Sequence, residues 1–372
     1  MRGLDLAESK KLLRFNEVRE QVAAQHDLNN PDVVVELDKV RITPELNVEI
    51  PHTGVFTMTP WAKKQLGSMM GVQWDKWFDP KLVNYEMVQE ELQRRFSKTQ
   101  LTKKVRTTQF RKEAPGVDGC DGYLRAVLGP TYHAIDDEKL FSRLEAKFGG
   151  RVDGLKFMAD HLSSNSAFGN GHCQHYTIVG ERVDMGPIDR DHPDDRVRNI
   201  YRIAEAEGQL PEKDFVYNGF HMRNSEVGYT AITIDDFTFR LVCLNGMMMS
   251  TGKSRLMYRQ HRPIEDKELD KQFSNVFNQI PVQWEQTRQQ LVGLQGTDVT
   301  EPEKQLSEEL KKMGASKKFA EAAVKAFELE PLKTRYGMLQ AITRAAQDIT
   351  DMDKRYEMES LAGAFMQRAA RA

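Results

Sequence analysis

The sequence predicts an α+β fold, in which an antiparallel β-sheet or meander packs with helices and is followed by a helical C-terminal section. Two patterns predict it. Apolar and polar residues alternate along much of the stretch from Phe215 to Leu244, as they do in half-buried strands. Beyond Pro263, apolar residues recur instead at helical spacing in five successive segments. We therefore divide the chain into an N-terminal helix over 1–30, an α+β core over 31–262 and a helical region over 263–372.

The first hundred residues mix helices with a strand. Thr59 and Pro60 are typical of a helix start, with threonine as the cap and proline at the first helical position, and Gly71 is typical of a helix end. Apolar periodicity predicts the other helices, and a run of valines predicts the strand. The predicted ranges are 5–27 (helix), 31–42 (strand), 60–71 (helix) and 81–97 (helix).

A β-hairpin, a helix and the meander are predicted next. Strands over 103–112 and 123–129 flank a loop with three glycines and a proline, which favours a hairpin. Asp136 stands at the N-cap position of the helical segment DEKLFSRLEAKFGG. The meander is predicted to have three strands, FVYNGFHM, YTAITI and FTFRLVCL, with a tight turn at Asp235 and Asp236 between the last two.

Composition excludes several classes of protein. A hydrophobic fraction of 40% and a charged fraction of 29% are typical of a globular chain. No apolar run approaches the roughly 18–20 residues that span a bilayer, and the first residues lack a signal-peptide pattern. Three distant cysteines argue against a disulfide framework, so we expect a cytoplasmic protein with no membrane partner. The net charge of −2 excludes a uniformly basic protein but permits a local basic surface.

One stretch, NGMMMSTGKSR, resembles the phosphate-binding loop of an NTPase. That loop has four residues between its first glycine and Gly-Lys-Ser, so that backbone N–H groups converge on the phosphates. Five residues separate Gly246 from Gly252 here, and three of them are bulky methionines. The spacing therefore argues against an NTPase, and we expect no cofactor.

Two clusters contain potential metal ligands. His161, His172, Cys173 and His175 could hold zinc, but their spacing matches no standard zinc finger, and Cys173 and His175 are expected on one face of a half-buried strand. The acidic cluster from Asp189 to Asp195 could bind Mg²⁺ in a nuclease, although its proline and arginines are typical of a solvated loop. We favour structural roles for both clusters and predict no metal and no catalytic residue.

Charge distribution is the most informative pattern. The segment from Arg94 to Lys112 has eight basic residues and no acidic one, and the segment from Lys253 to Arg262 is likewise free of acids. In a strand, Lys104, Arg106 and Phe110 would share a face, as a period of two requires. Bases along a strand with aromatic residues among them suit single-stranded nucleic acid. The predicted nucleic-acid-binding residues are Lys103, Lys104, Arg106, Phe110, Arg111, Lys112, Arg125, Lys253, Arg255, Tyr258 and Arg259.

The segment from Met222 to Met247 resembles the signature of a family of phage- and plasmid-borne proteins known only as a domain of unknown function. The pattern is Asn-Ser-Glu-x-Gly, a strand, and then Phe-Arg-Leu-Val-Cys-x-Asn-Gly-Met. We expect its residues to be structural, with Asn and Ser bonding the turn backbone and Glu226 pairing with Arg240. The signature residues are Asn224, Ser225, Glu226, Gly228, Arg240, Asn245 and Gly246.

The resemblance implies an infected or plasmid-bearing bacterium as the setting. The chain also resembles, more distantly, the phage single-strand annealing recombinases of the Rad type, which form rings and hold single-stranded DNA in a basic groove without ATP. Our leading hypothesis is therefore an ATP-independent DNA-binding protein, acting in recombination or annealing as a homo-oligomeric ring or filament. The alternatives are a metal-dependent nuclease using Asp189–Asp195 and an anti-defence protein that binds a host or phage protein.

Overall fold

A computed structural model describes residues 12–73, 84–112, 116–159, 162, 173–187, 190–191, 195–206, 213–240, 247–259, 263–329 and 331–369. These residues form two six-stranded sheets and ten α-helices, which confirms the predicted α+β class. None of these helices is long and apolar enough to span a bilayer.

The elements follow one another in an order that separates a mixed part from a helical part. The strands are β1 (Leu12–Arg14), β2 (Val33–Glu36), β3 (Arg41–Ile42), β4 (Val48–Ile50), β5 (Gly54–Met58), β6 (Thr102–Gln109), β7 (Gly122–Leu128), β8 (Lys156–Met158), β9 (Gln174–Pro187), β10 (Lys213–Asn224), β11 (Ile232–Arg240) and β12 (Met247–Arg259). The helices are α1 (Phe15–Leu28), α2 (Pro60–Met70), α3 (Tyr85–Lys98), α4 (Asp137–Phe148), α5 (Asp195–Ala206), α6 (Asp266–Gln295), α7 (Pro302–Lys312), α8 (Lys317–Leu329), α9 (Arg335–Gln347) and α10 (Met352–Ala369). The helical section beyond residue 263 is thus confirmed.

The first sheet has the strand order β1-β8-β9-β10-β11-β12 and is antiparallel throughout. Because successive strand residues alternate between faces, Tyr176 and Ile178 on β9 share one face with Phe220 and Met222 on β10. This face is apolar and packs against α1, α4 and α6 in one hydrophobic core. The opposite face is polar.

The second sheet has the order β2-β6-β7-β5-β4-β3, and β5 and β7 form its parallel pair. Its core lies against α2 and α3, where Leu66, Leu92 and Phe96 meet Phe56 and Val105. The helices α6 to α10 bury a third core of their own. Helix α10 contributes to this third core and also covers the polar face of the first sheet, where Tyr356 contacts Asp235 and His221.

Local signals at the helix ends gave mixed results. The Thr59 hydroxyl accepts a hydrogen bond from the Ala62 amide at 3.2 Å, and Gly71 ends the helix with φ +66°. Both features were predicted. The predicted helix over 5–27 is wrong over residues 12–14, which pair as β1 with β8, so α1 begins at Phe15.

The predicted turn at Asp235 and Asp236 is also wrong. Both residues lie inside β11, where both are fully buried. Burial of two adjacent carboxylates is tolerated because each has a hydrogen-bond donor: Tyr356 donates to Asp235, and the Thr287 hydroxyl donates to Asp236 at 3.3 Å. The meander therefore consists of β10, β11 and β12.

Two buried arginines connect the second sheet to the rest of the molecule. Arg106 on β6 is 5% exposed, and its guanidinium binds Asp32 at 2.8 Å, Asp136 at 2.9 Å and the Glu226 carbonyl at 2.6 Å. Arg125 on β7 is 2% exposed and binds the Glu226 carboxylate at 2.8 Å. We call these five residues the arginine junction. It fixes β6 and β7 against the connection between β10 and β11 and against the start of α4.

The junction contradicts two sequence expectations and part of a third. Arg106 and Arg125 do not lie on an exposed basic face, because carboxylates 30 to 101 residues away in the chain surround them. Asp136 is the N-cap residue of α4, as predicted, but its carboxylate binds Arg106 and makes no cap bond to the helix. Glu226 pairs with Arg125 and not with Arg240, which lies at the other end of β11.

We predict that Arg125→Met destabilises the fold by about 3–5 kcal/mol, because it leaves the Glu226 carboxylate buried without its partner. Urea denaturation followed by circular dichroism measures the change in the free energy of unfolding. The matched control is Arg94→Met, which removes an exposed guanidinium that pairs with Glu91 and should change little. Equal, small effects of the two substitutions would contradict the structural role of the junction.

Candidate functional site

Several of the remaining predicted residues of the first basic segment already make contacts within the protein. Lys104 donates to the Tyr132 carbonyl at 2.6 Å, and Arg111 donates to the Gln25 side chain at 3.1 Å. Phe110 packs edge-on against Tyr123, with ring centroids 4.8 Å apart. Lys103 is half-buried and Lys112 is exposed. Of the β6 segment, then, Lys112 at its end is the predicted base that the structure leaves exposed.

The second basic segment belongs to another sheet. Lys253, Arg255, Tyr258 and Arg259 all lie on β12, the terminal strand of the first sheet in the described part of the chain. On the backbone, Arg255 is the register partner of Asp235. The two basic segments therefore do not form one continuous sheet face, because β6 and β12 belong to different sheets. Gly252, Lys253 and Ser254 lie within this strand and not in a strand-to-helix loop.

The signature residues that the structure describes build the connection between β10 and β11. Asn224 donates to the Ile135 carbonyl at 2.9 Å and to the Asp137 carboxyl group at 2.7 Å. The Ser225 hydroxyl accepts from the Tyr229 amide at 2.9 Å, and Gly228 has φ +76°. Asn245 and Gly246 lie outside the described residues, and Arg240 is the last residue of β11.

Asp137, at the start of α4, sits in a deeply buried polar pocket. Burial and the nearby charge of Glu226 raise its pKa to about 8, although Asn224 donates to it. The Glu226 carboxylate is close because it accepts a hydrogen bond from the Asp137 amide at 2.9 Å. Asp137 is therefore largely protonated at neutral pH. Sequence patterns missed this, since an acid in the first turn of a helix is usually a solvated charge.

A second polar cluster lies between the first sheet and α10, and we call it the histidine cluster. It consists of Cys173 just before β9, His175 and Thr177 at the start of β9, His221 on β10 and Asp353 in the first turn of α10. His175 Nδ1 is 3.1 Å from His221 Nε2, and His175 Nε2 is 3.1 Å from Asp353 Oδ1. His221 Nδ1 is 2.7 Å from the Thr177 hydroxyl. Asp353, His175, His221 and Thr177 thus form one hydrogen-bonded chain across the interface between the sheet and α10.

The sheet and the helix both position this cluster. The strand register places His221 beside Thr177 and Arg223 beside His175. From α10, the Tyr356 ring stacks on the His221 ring at 5.0 Å, and the Arg223 guanidinium lies 4.7 Å above the Tyr356 ring. Cys173 and His175 are 0% and 1% exposed, and the Asp353 side chain is 14% exposed. Solvent thus reaches the cluster at Asp353.

Burial favours the neutral forms of His221 and Cys173. It lowers the pKa of His221 well below its usual value, with the charge of His175 acting in the same direction. It also raises the pKa of the Cys173 thiol well above its usual value. A protonated, inaccessible thiol is a poor nucleophile, so the geometry does not favour covalent catalysis at Cys173.

Chemically, the cluster can offer metal ligands. One donor atom each from Cys173, His175 and Asp353 lies within 4.8 Å of the others, and thiolate, imidazole and carboxylate are the ligands that zinc takes in proteins. Sequence analysis placed Cys173 and His175 on one strand face but missed Asp353, which is 178 residues beyond His175. His161 and His172 lie outside the described residues. No local sequence pattern around Asp353 indicates that it lies beside Cys173 and His175.

The acidic cluster that motivated the nuclease alternative is only partly described. Asp189, His192 and Asp194 lie outside the described residues, while Asp191 is exposed and Asp195 is the first residue of α5. The structure therefore does not test this alternative.

Comparison with known proteins finds a match to a protein family. The family model described as "Domain of unknown function (DUF932)" matches residues 194–364, from the start of α5 to within α10. This agrees with the resemblance to a family of unknown function. The matched region contains His221, Asp235, Asp353 and Tyr356. It begins after Cys173 and His175. No curated protein and no solved structure matches the chain.

We predict that Asp137→Asn makes the chain's stability less dependent on pH. The folded state keeps Asp137 protonated up to about pH 8, while in the unfolded chain it ionises near its ordinary pKa of 3.8. Its contribution to stability is complete below that value and falls as pH rises toward 8, by at most about 1.4 kcal/mol per pH unit. Asparagine imitates the neutral acid and still accepts from Asn224.

Urea denaturation of both proteins between about pH 5 and about pH 8 measures this effect. The variant should gain stability relative to the original chain as pH rises. The exposed Asp38→Asn serves as the control and should follow the original chain at every pH. A parallel pH profile for Asp137→Asn would show that the carboxyl group is ionised in the fold.

Proposed function

We propose that the protein binds single-stranded DNA along β12, without ATP, and acts in recombination or strand annealing. The observation that supports this most is the composition and place of the strand. Its thirteen residues include Lys253, Arg255, Arg259 and Tyr258 and no acidic residue, and it ends the strand order of the first sheet in the described part of the chain.

The length of β12 suits an extended polyanion. At about 3.3 Å per residue, a strand of this size is roughly 40 Å long, enough to follow several phosphates. The three bases would neutralise phosphates, and Tyr258 would stack on a base, which is worth about 1–3 kcal/mol. Independence from ATP is supported by the position of Gly-Lys-Ser inside a strand, because a phosphate cradle needs a loop that leads into a helix.

The arginine junction narrows the proposal relative to the sequence hypothesis. Arg106 and Arg125 are removed from the DNA-binding set because carboxylates already bind them in the interior. The proposed set is therefore the three bases and Tyr258 of β12, and it leaves out the β6 segment, where Lys112 is an exposed base at the end.

We predict a shallow salt dependence for DNA binding. Each phosphate neutralised on single strands contributes about −0.7 to the slope of log K against log salt, so three β12 bases give a slope near −2. Fluorescence anisotropy with a labelled single-stranded oligonucleotide, at several salt concentrations and without nucleotide, measures it. Light scattering on the same samples tests the expected homo-oligomer.

The variant for this test replaces Lys253, Arg255 and Arg259 by alanine together, and it should lose most of the affinity. The control replaces Lys103 and Lys112 by alanine and should keep most of it. No binding by the original chain at low salt rejects the proposal. Cleavage of the oligonucleotide with Mg²⁺ would favour the nuclease, and a partner protein that persists after nuclease treatment would favour the host-interaction alternative.

A further inference from the structure

We infer that Cys173, His175 and Asp353 form a binding site for a zinc-class divalent ion that joins the first sheet to α10. The three donor atoms already lie within 4.8 Å of one another, and His175 Nε2 and Asp353 Oδ1 are 3.1 Å apart. Bonds to a tetrahedral zinc ion are roughly 2.0–2.3 Å long, which places two ligand atoms slightly farther apart than the 3.1 Å between His175 Nε2 and Asp353 Oδ1. Small side-chain adjustments would complete the geometry.

The identity of the donors selects the class of ion. A thiolate and an imidazole are poor ligands for Mg²⁺ and Ca²⁺, which prefer oxygen, whereas Zn²⁺ accepts sulfur, nitrogen and carboxylate oxygen together. Two anionic ligands, the Cys173 thiolate and the Asp353 carboxylate, would balance the two charges of the ion. Three protein ligands also leave a fourth position for water, and solvent reaches the cluster on the side of Asp353.

The histidine cluster provides the outer contacts that such sites require. A metal-bound imidazole usually donates its other N–H to a fixed acceptor, which holds the ring in place. His175 Nδ1 faces His221 Nε2 at 3.1 Å, and His221 Nδ1 faces the Thr177 hydroxyl at 2.7 Å. The same hydrogen bonds can form in two arrangements of the protons, one without an ion and one with an ion bound.

The two arrangements differ only in the direction of donation. Without an ion, Thr177 donates to His221, His221 to His175 and His175 Nε2 to Asp353. With the ion on His175 Nε2, both rings exchange tautomers, so that His175 Nδ1–H donates to His221 and His221 Nδ1–H donates to Thr177. Each ring keeps one proton, now on Nδ1 instead of Nε2, and Thr177 keeps its hydroxyl proton. The net loss to solvent is therefore the thiol proton alone, and no buried ring nitrogen loses its partner.

The position of the site defines what the ion would do. Cys173, just before β9, and His175, at its start, lie outside the family-matched region, and Asp353, in the first turn of α10, lies inside it. An ion bound to all three would cross-link the two parts of the chain. This role is independent of DNA binding, and it is tested without DNA.

The test uses the full chain, without an affinity tag, treated with chelator and then titrated with Co²⁺ as a spectroscopic probe for zinc. We expect one equivalent to produce a thiolate-to-cobalt charge-transfer band and tetrahedral d–d absorption, both abolished by added Zn²⁺. Cys173→Ser and Asp353→Asn should lose these bands. Cys120→Ser and Cys243→Ser should keep them, and Cys120 serves as the matched free thiol.

Thermal unfolding provides the second measurement. Zn²⁺ should raise the Tm of the original chain and leave that of Asp353→Asn unchanged, because an ion stabilises only the state that binds it. Asp353 is partly exposed, so its variant should fold even where Cys173→Ser does not. Absence of the cobalt bands in the original chain, or their persistence in Asp353→Asn, would overturn the inference.

Discussion

The arginine junction is the constraint on which the arrangement of the two sheets depends. Arg106 and Arg125 project from adjacent strands of the second sheet into the interior, where Asp32, Asp136 and Glu226 come from three other parts of the chain. Buried ion pairs contribute little net stability over apolar packing, but a half-formed pair is costly. The second sheet therefore docks in the one position that satisfies all five groups. The connection between β10 and β11 is held there as well, since Trp61 donates to the Val227 carbonyl at 2.9 Å.

The polar face of the first sheet follows the same rule at a second place. His175, His221, Asp235 and Asp353 are buried or nearly buried polar groups, and each has a partner across the interface between the sheet and α10 or within the sheet. An apolar interface would tolerate small shifts of the helix. A hydrogen-bonded one does not, because every displaced donor or acceptor would be left without water or protein to bind. The interface is therefore specific in register, which is what a candidate binding site needs.

Much of the local structure followed from the sequence, and the errors have one cause. The Thr59 cap, the Gly71 terminus, the β6–β7 hairpin and the C-terminal helices depend on residues close together in the chain, and these predictions are confirmed. The errors all involve residues whose partners are distant in the chain: residues 12–14 pair as β1 with β8, and the other errors concern charged side chains. A run of bases without local acids indicated an exposed surface at Arg106, and two adjacent acids indicated a turn at Asp235, yet both are buried against side chains more than 25 residues away. Local charge patterns cannot reveal a tertiary partner. For the same reason the sequence did not indicate that Asp353 belongs to the histidine cluster.

Covering the polar face of the first sheet with α10 has a consequence for synthesis. The ribosome makes β9, β10 and β11 long before residues 352–369, and domains begin to fold as they emerge. During that interval the sheet carries His175, His221 and Asp235 on a face that α10 does not yet cover. Because these groups are polar, water can hydrogen-bond to them until α10 is made, so the sheet can form before its covering helix exists.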